Sequence, residues 1–137
     1  MSERFLVDTS VWIEALRPRG KPEVASWLRE ALIRDAVVLI PLVKEEILMG
    51  ARDEKQFSEL EEMLGALPLL KEKPEIWERV ASIGFSLRRQ GLRIPTLDLL
   101  IICWALTYEC TLAHRDHHFT LAAERIPGLK TVTLLSS

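Results

Sequence analysis

The stretch RFLVDTSVW, residues 4–12, begins with three apolar residues after Arg4 and then turns abruptly polar. An apolar run this short, followed by a carboxylate and two hydroxyls, predicts a buried strand that ends at a polar site. In open α/β sheets, ligands bind at the carboxyl ends of the strands. We therefore expect Asp8 to lie at such an end, with Thr9 and Ser10 in the first turn of the next helix.

Short apolar segments alternate with helical patterns along the rest of the chain. β-branched and apolar residues predict further strands at residues 36–40, 67–70, 111–113 and 131–135. Apolar residues at helical spacing, with proline and glycine at the boundaries, predict helices at residues 8–16, from 22, 41–52, 54–67, 74–89, 97–108 and within 115–124. Strands that alternate with helices favour an α/β fold, here a three-layer α/β/α domain with a short central parallel sheet of about five strands.

Composition sets the outer limits of the interpretation. A chain of 137 residues, 48% hydrophobic and 28% charged, predicts a single folded domain over residues 1–137. The formal net charge of −2 gives no global basic field, so any nucleic-acid binding must come from local patches. Cys103 and Cys110 are predicted to be reduced core thiols, and no signal-peptide pattern is found, so we expect a cytoplasmic protein. The apolar run Leu99–Leu106 is too short to span a bilayer.

Two carboxylates directly follow predicted strands. Asp8 ends the first strand, and Asp116 follows the apolar run TLAH in the segment AHRDHHF. Each has a simpler explanation, because Asp8 can serve as a helix N-cap and Asp116 can belong to an ordinary turn. The carboxyl ends of parallel strands share one edge of a sheet, so these two side chains can also converge on a site.

Two further carboxylates belong to predicted helices. Glu46 lies on the apolar stripe of PLVKEEILMG, where it either needs a partner or borders the stripe and reaches water, whereas Glu45 points elsewhere. Asp98 lies in TLDLLIICWALTY, a helix hydrophobic nearly all round and therefore predicted to be buried. The alternative for Asp98 is a first-turn acid favoured by the helix dipole, with Thr96 as the cap. Four converging carboxylates would suit Mg²⁺ or Mn²⁺, which prefer oxygen ligands.

Taken together, the four acidic segments resemble the motifs of the PIN domain, specifically the VapC-type ribonuclease toxins of prokaryotic toxin–antitoxin pairs. The segments, in chain order, are LVDTSVWIE, IPLVKEEILMG, IPTLDLLIICWAL and LAHRDHHF. Each motif is weak alone, but their order and spacing cover almost the whole chain.

The resemblance implies a metal-dependent endoribonuclease, the toxin component of a type II toxin–antitoxin system. Its catalytic and metal-binding residues would be Asp8, Glu46, Asp98 and Asp116, with Ser10 in a supporting role. The cofactor would be one or two Mg²⁺ or Mn²⁺ ions, which activate water and neutralise the charge that develops in phosphodiester hydrolysis. The implied partners are the RNA substrate, a cognate antitoxin and a second copy of the chain in a homodimer.

One position departs from the family pattern. The fourth motif often carries another acid two residues after the first, and this chain has His118 there. The sequence leaves open whether His118 replaces that acid as a ligand.

Basic residues near two of the motifs could form a rim that binds RNA phosphates. The alternative is that they are solvated surface charges. These residues are Arg17, Arg19, Lys21, Arg88, Arg89, Arg93 and Arg115.

Three other interpretations remain open from the sequence. A zinc hydrolase would use His114, His117 and His118, although this spacing lacks the helical i, i+4 pair of zinc proteases. A phospho-receiver or a haloacid-dehalogenase-like phosphatase would start from Asp8, but Ser10 stands where the phosphatase has its second aspartate. A catalytically inactive PIN-like binding module would share the fold without cleaving RNA.

Overall fold

The computed structural model describes residues 3–135, and its sheet is organised around the first strand. Phe5–Val7 (β1) is buried along its whole length and pairs in parallel with Val37–Val38 (β2) on one side and Thr111–His114 (β3) on the other. Thr131–Thr133 (β4) pairs in parallel with β3, which gives the strand order β2-β1-β3-β4. The apolar run that opens the sequence is therefore a central strand, as predicted.

Helices connect and flank these strands. Within residues 3–135 they are Thr9–Leu16 (α1), Pro22–Ile33 (α2), Pro41–Met49 (α3), Glu54–Gly65 (α4), Pro74–Arg89 (α5), Thr96–Tyr108 (α6) and His117–Ala123 (α7). Three of them begin at a proline, which has the backbone angle of a helix and lacks only an N–H group that would be unbonded there anyway. The α/β class and the parallel sheet are confirmed.

The prediction of about five strands is one too many within the described residues. The segment predicted as a strand at residues 67–70 forms a single parallel bridge, between Leu69 and Leu39. The Leu39 N–H group donates to the Pro68 carbonyl oxygen at 2.9 Å, and the Leu70 N–H group donates to the Leu39 carbonyl oxygen at 2.8 Å. The segment therefore pairs with the continuation of β2 too briefly to form a strand.

Several predicted boundaries are also wrong by a few residues. Helix α3 ends at Met49 rather than near Arg52, because the chain leaves the helix at its C-cap, Gly50. Helix α6 begins at Thr96, so Pro95 occupies the N-cap position and Thr96 is not the cap. The strands predicted at residues 36–40 and 131–135 are longer than the observed β2 and β4, because apolar composition continues beyond the hydrogen-bonded pairing, whereas β3 runs one residue past its predicted end, to His114.

Helix α6 lies in the hydrophobic core, as its composition predicted. Its residues from Leu99 to Ala105 are all buried. Cys103 and Cys110 are free and buried, which confirms the prediction of core thiols. None of the helices within residues 3–135 is long and apolar enough to cross a membrane.

The strand order brings the chain to a reversal point between β1 and β3. From β1 the chain crosses to β2 on one side, and it later returns to β3 on the other side. In open α/β sheets, the crevice outside such a reversal point is where ligands bind. Asp8 follows β1 and Asp116 follows β3, so both carboxylates lie beside this crevice.

Candidate metal centre

Asp8 joins the end of β1 to the start of α1. Its N–H group donates to the Ala113 carbonyl oxygen of β3 at 2.8 Å. Its Oδ2 accepts hydrogen bonds from the Ser10 N–H group at 3.1 Å and from Ser10 Oγ at 2.5 Å. Asp8 is therefore the N-cap of α1, which is the simpler role that the sequence allowed. Both of these cap hydrogen bonds go to Oδ2, and within residues 3–135 neither uses Oδ1.

Ser10 connects the ends of the two central strands. Besides donating to Asp8, its Oγ accepts a hydrogen bond from the Arg115 N–H group at 3.2 Å. Arg115 immediately follows β3, so one hydroxyl group fixes both the carboxylate after β1 and the backbone that leads to Asp116. Ser10 supports the site through these contacts.

Asp98, Asp116 and His118 form a compact group with metal-ligand chemistry. One ligand atom from each residue can be chosen so that all three lie within 4.8 Å of one another. His118 Nδ1 lies 3.5 Å from Asp98 Oδ2 and 3.6 Å from Asp116 Oδ1. The His118 Nδ1 atom is buried and has no hydrogen-bond partner among the described residues. Two carboxylates and an unpartnered buried nitrogen are a donor set that fits a divalent ion.

Local structure fixes each member of this group. Asp98 lies in the first turn of α6, whose apolar sequence anchors the helix in the core. Asp116 is the N-cap of α7, and its Oδ1 accepts a hydrogen bond from the His118 N–H group at 2.8 Å. This cap brings the first turn of α7, and with it the His118 side chain, close to Asp116.

The pKa of the Asp98 carboxyl is raised above its usual range. Burial is the largest cause, followed by the negative charges of Asp116 and Asp8, and the His118 imidazole partly offsets these effects. The three aspartates are therefore close enough to repel one another. Such crowding is costly without a cation, and it is typical of a site that binds one.

Glu46 lies beside this group without joining it. Its Oε1 accepts a hydrogen bond from Thr9 Oγ1 at 3.1 Å, which links α3 to the start of α1. The neighbouring Glu45 is exposed, as predicted. The structure thus places Glu46 next to the residue that follows Asp8, and it contributes no atom to the close group of Asp98, Asp116 and His118.

The three histidines do not converge on a zinc site. His114 is fully buried, and its Nδ1 accepts a hydrogen bond from the Asp116 N–H group at 3.1 Å. Burial lowers the pKa of its imidazole, so His114 is a neutral core residue. His117 is exposed, and of the three only His118 belongs to the close group. The zinc hydrolase interpretation is therefore not supported.

Glu14, which is buried in α1, was not among the residues predicted from the sequence. Its carboxylate accepts a hydrogen bond from the Lys21 N–H group at 2.7 Å. It also forms ion pairs with Arg17 at 3.2 Å and with Arg115 at 3.3 Å. The hydrogen bond from Lys21 is the largest cause that lowers the pKa of the Glu14 carboxyl. A sequence signal existed, because Glu14 lies four residues after Ser10 and so shares its face of the helix.

The predicted basic rim divides into two groups. The Arg115 guanidinium is held inside the protein, where Nε donates to the Leu134 carbonyl oxygen at 3.2 Å and the side chain is only 17% exposed. Its contact with Glu14 gives it a structural role rather than an exposed surface position. Arg17, although it contacts Glu14, is exposed, as are Arg19, Arg88, Arg89 and Arg93.

A parallel α/β sheet with carboxylates gathered beyond the ends of its two central strands defines an α/β protein with a candidate divalent-metal centre. The PIN domain family model matches residues 5–125, and the chain belongs to this family. The resemblance inferred from the four acidic motifs is thereby confirmed.

Similar proteins span nearly the whole chain. The VapC ribonuclease Mb1587 of Mycobacterium bovis and the ribonuclease VapC11 of Mycobacterium tuberculosis are each 32% identical to it in an alignment of 134 residues that covers 94% of this chain and 98% of the relative. The crystal structure of FitAcB from Neisseria gonorrhoeae matches with a TM-score of 0.71 and 25% identity, covering 93% of this chain and 95% of that chain. DNA-bound VapBC from Salmonella typhimurium matches with a TM-score of 0.75 and 18% identity, covering 96% and 98%, and so supports the fold alone.

Proposed function

We propose that this protein is a metal-dependent endoribonuclease and the toxin component of a type II toxin–antitoxin system. The observation that carries the proposal is the close group of Asp98, Asp116 and His118 beside the carboxyl ends of β1 and β3, with Asp8 near enough that its charge helps to raise the pKa of the Asp98 carboxyl. The ribonuclease relatives support RNA as the substrate, since they match over 94% of this chain.

In this proposal, Asp98, Asp116 and Asp8 hold the cofactor, Mg²⁺ or Mn²⁺. When bound, the ion supplies Lewis-acid activation of water and neutralises charge as the phosphodiester bond breaks. Ser10 keeps the Asp8 carboxylate in place through its two contacts with Oδ2. Glu46, held by Thr9, acts from the edge of the group and would serve a second ion if one binds.

The exposed arginines near the motifs are proposed to hold the RNA backbone. Arg17 and Arg19 follow α1, and Arg88, Arg89 and Arg93 precede α6, which carries Asp98. The net charge of −2 means that this contact must be local. Lys21 belongs to the same proposal, whereas Arg115 is left out because Glu14 and the Leu134 carbonyl oxygen engage its guanidinium.

An antitoxin protein and a second copy of the chain are the proposed partners. Several structural neighbours are toxin–antitoxin complexes, including VapBC-5 from Mycobacterium tuberculosis. An apolar cavity of about 270 Å³ lies between α1, α3 and α4, lined by residues that include Ile13, Leu16 and Glu46. Ile13 and Leu16 are exposed there, so a partner with apolar side chains could cover them next to the acidic group.

We keep the cytoplasm as the proposed location of the protein.

The decisive experiment measures Mg²⁺- and Mn²⁺-dependent cleavage of RNA by the purified chain and its variants. Asp8→Asn, Asp98→Asn and Asp116→Asn should each abolish cleavage, and Glu46→Gln should impair it. Glu45→Gln is the matched control, because Glu45 is the exposed neighbour of Glu46 and should cleave like wild type. A folded Asp98→Asn variant with full activity would remove the proposal, and a wild-type chain that binds RNA without cleaving it would instead favour an inactive binding module.

A further inference from the structure

His118 is the feature of this site that neither the fold nor the proposed hydrolysis requires. It stands at the position where the sequence resemblance leads one to expect a carboxylate. The side chain as a whole is 45% exposed, yet its Nδ1 atom is buried and lacks a hydrogen-bond partner within residues 3–135. A buried nitrogen that is left without a partner normally costs stability, so its orientation needs a reason.

Nδ1 lies at similar distances from both carboxylates, and both distances are longer than a charge-assisted hydrogen bond. A charged imidazole that bonds to a carboxylate lies about 2.7–2.9 Å from the oxygen. Here Nδ1 is 3.5 Å from Asp98 Oδ2 and 3.6 Å from Asp116 Oδ1, nearly the same distance from each. Two neighbouring ligand atoms that each lie about 2.0–2.2 Å from one octahedral cation are roughly 3 Å apart, so a bound ion would draw these three atoms about half an ångström closer together. Nδ1 therefore lies between the two carboxylates, at ion-pair distance from both.

We propose that His118 Nδ1 is a protein ligand of the divalent ion and makes this site prefer Mn²⁺ over Mg²⁺. The inference rests on the proposed function for the presence of an ion at Asp98 and Asp116. Mg²⁺ favours oxygen ligands and dehydrates reluctantly, whereas Mn²⁺ belongs to the first-row series of divalent metals, which accept nitrogen ligands in mixed N/O sites. Replacing a carboxylate by an imidazole lowers the negative charge of the site and so weakens Mg²⁺ more than Mn²⁺.

The neighbouring histidine provides a matched control. His117 precedes His118 in the first turn of α7, but its side chain is exposed and lies outside the close group. His117→Ala removes a histidine of the same helix turn without touching the acidic group. His118→Asp supplies the oxygen ligand that the family pattern carries at this position, and because the His118 side chain is 45% exposed, we expect the fold to accommodate the smaller residue.

The test is pulsed electron paramagnetic resonance of Mn²⁺ bound to the full chain, which detects a directly coordinated nitrogen. We expect a ¹⁴N coupling in wild type and in His117→Ala, its replacement by a ¹⁵N coupling when the histidines are isotope-labelled, and its loss in His118→Asp. In calorimetric titrations, the ratio of Mn²⁺ affinity to Mg²⁺ affinity should fall about tenfold from wild type to His118→Asp.

Three results would overturn the inference. The first is a spectrum of Mn²⁺ bound to the wild-type chain that shows no nitrogen coupling. This measurement uses wild type alone, so it does not depend on whether a variant folds. Another is a coupling that persists in His118→Asp, which would assign the nitrogen to a different histidine such as His114. The third is an unchanged affinity ratio. Failure of the proposed function would give a different result from failure of this inference. In that case the Asp98→Asn variant would bind Mn²⁺ as tightly as wild type.

Discussion

The crowding of carboxylates predicts that Asp98→Asn stabilises the protein when no metal is present. The ligand atoms of Asp98 and Asp116 lie within 4.8 Å, a separation at which two like charges repel by about 1 kcal/mol in water and by several times more at lower dielectric. Both side chains are partly exposed, at 23% and 42%, so we use the lower value. About 1 kcal/mol corresponds to a rise in melting temperature of about 3–4 °C for a chain of this size.

Metal should reverse this order. Mg²⁺ at a hundredfold excess over its dissociation constant should stabilise wild type by about 2.7 kcal/mol, or about 8–11 °C. Asp98→Asn has lost a proposed ligand and should gain much less. The assay is thermal unfolding of both proteins in EDTA and in Mg²⁺, followed by circular dichroism.

The EDTA difference should also depend on pH. The pKa of the Asp98 carboxyl is raised in the folded protein, so the cost of its charge is absent well below pH 3.8, its usual value. The cost grows as the pH rises through that value and is complete above the folded pKa. The advantage of Asp98→Asn should therefore shrink on acidification. If wild type is the more stable protein in EDTA at neutral pH and Mg²⁺ shifts both equally, the carboxylates do not form a shared metal pocket.

Three further predictions concern neighbouring residues. His114→Leu should lower the free energy of unfolding by about 1–3 kcal/mol and reduce RNA cleavage, because the Asp116 N–H group loses its acceptor. His114→Asn keeps an acceptor and should therefore retain more stability and more cleavage. Equal losses in the two variants, in melting and cleavage assays, would refute the role of His114 as this acceptor. Glu14→Gln should melt several degrees below wild type at neutral pH. Because the pKa of the Glu14 carboxyl is lowered in the folded protein, this difference in melting temperature should disappear as the pH falls below 4.5. A difference that does not change with pH would contradict the charge-based explanation. Burial raises the pKa of the Cys103 thiol to about 11, so alkylation at pH 8 should require unfolding, and rapid labelling of Cys103 in the native protein would show that the thiol is accessible.

The sequence by itself determined the α/β class and the position of the central strand. Phe5–Val7 is too short and too apolar to be anything but a buried strand, and the residues from Leu99 to Ala105 are too apolar to lie on the surface. These are local signals, because each depends on the hydrophobicity of a single segment. For the same reason the sequence overestimated the sheet at residues 67–70, where apolar composition exists but backbone pairing stops after one bridge.

Only the tertiary structure decided which polar groups meet. The pairing of β1 with β3 brings Asp8 and Asp116 to one crevice, although 106 positions along the chain separate Leu6 from its partner Leu112. Spacing alone could not show that His114 is buried behind Asp116 while His118 turns its Nδ1 between two carboxylates. Spacing also could not identify the partners of Glu14, because Lys21 and Arg115 come close to its carboxylate only in the folded chain. Side-chain identity fixes what a residue can bind, but only long-range packing fixes the distances at which charges, hydrogen bonds and metal ligands act.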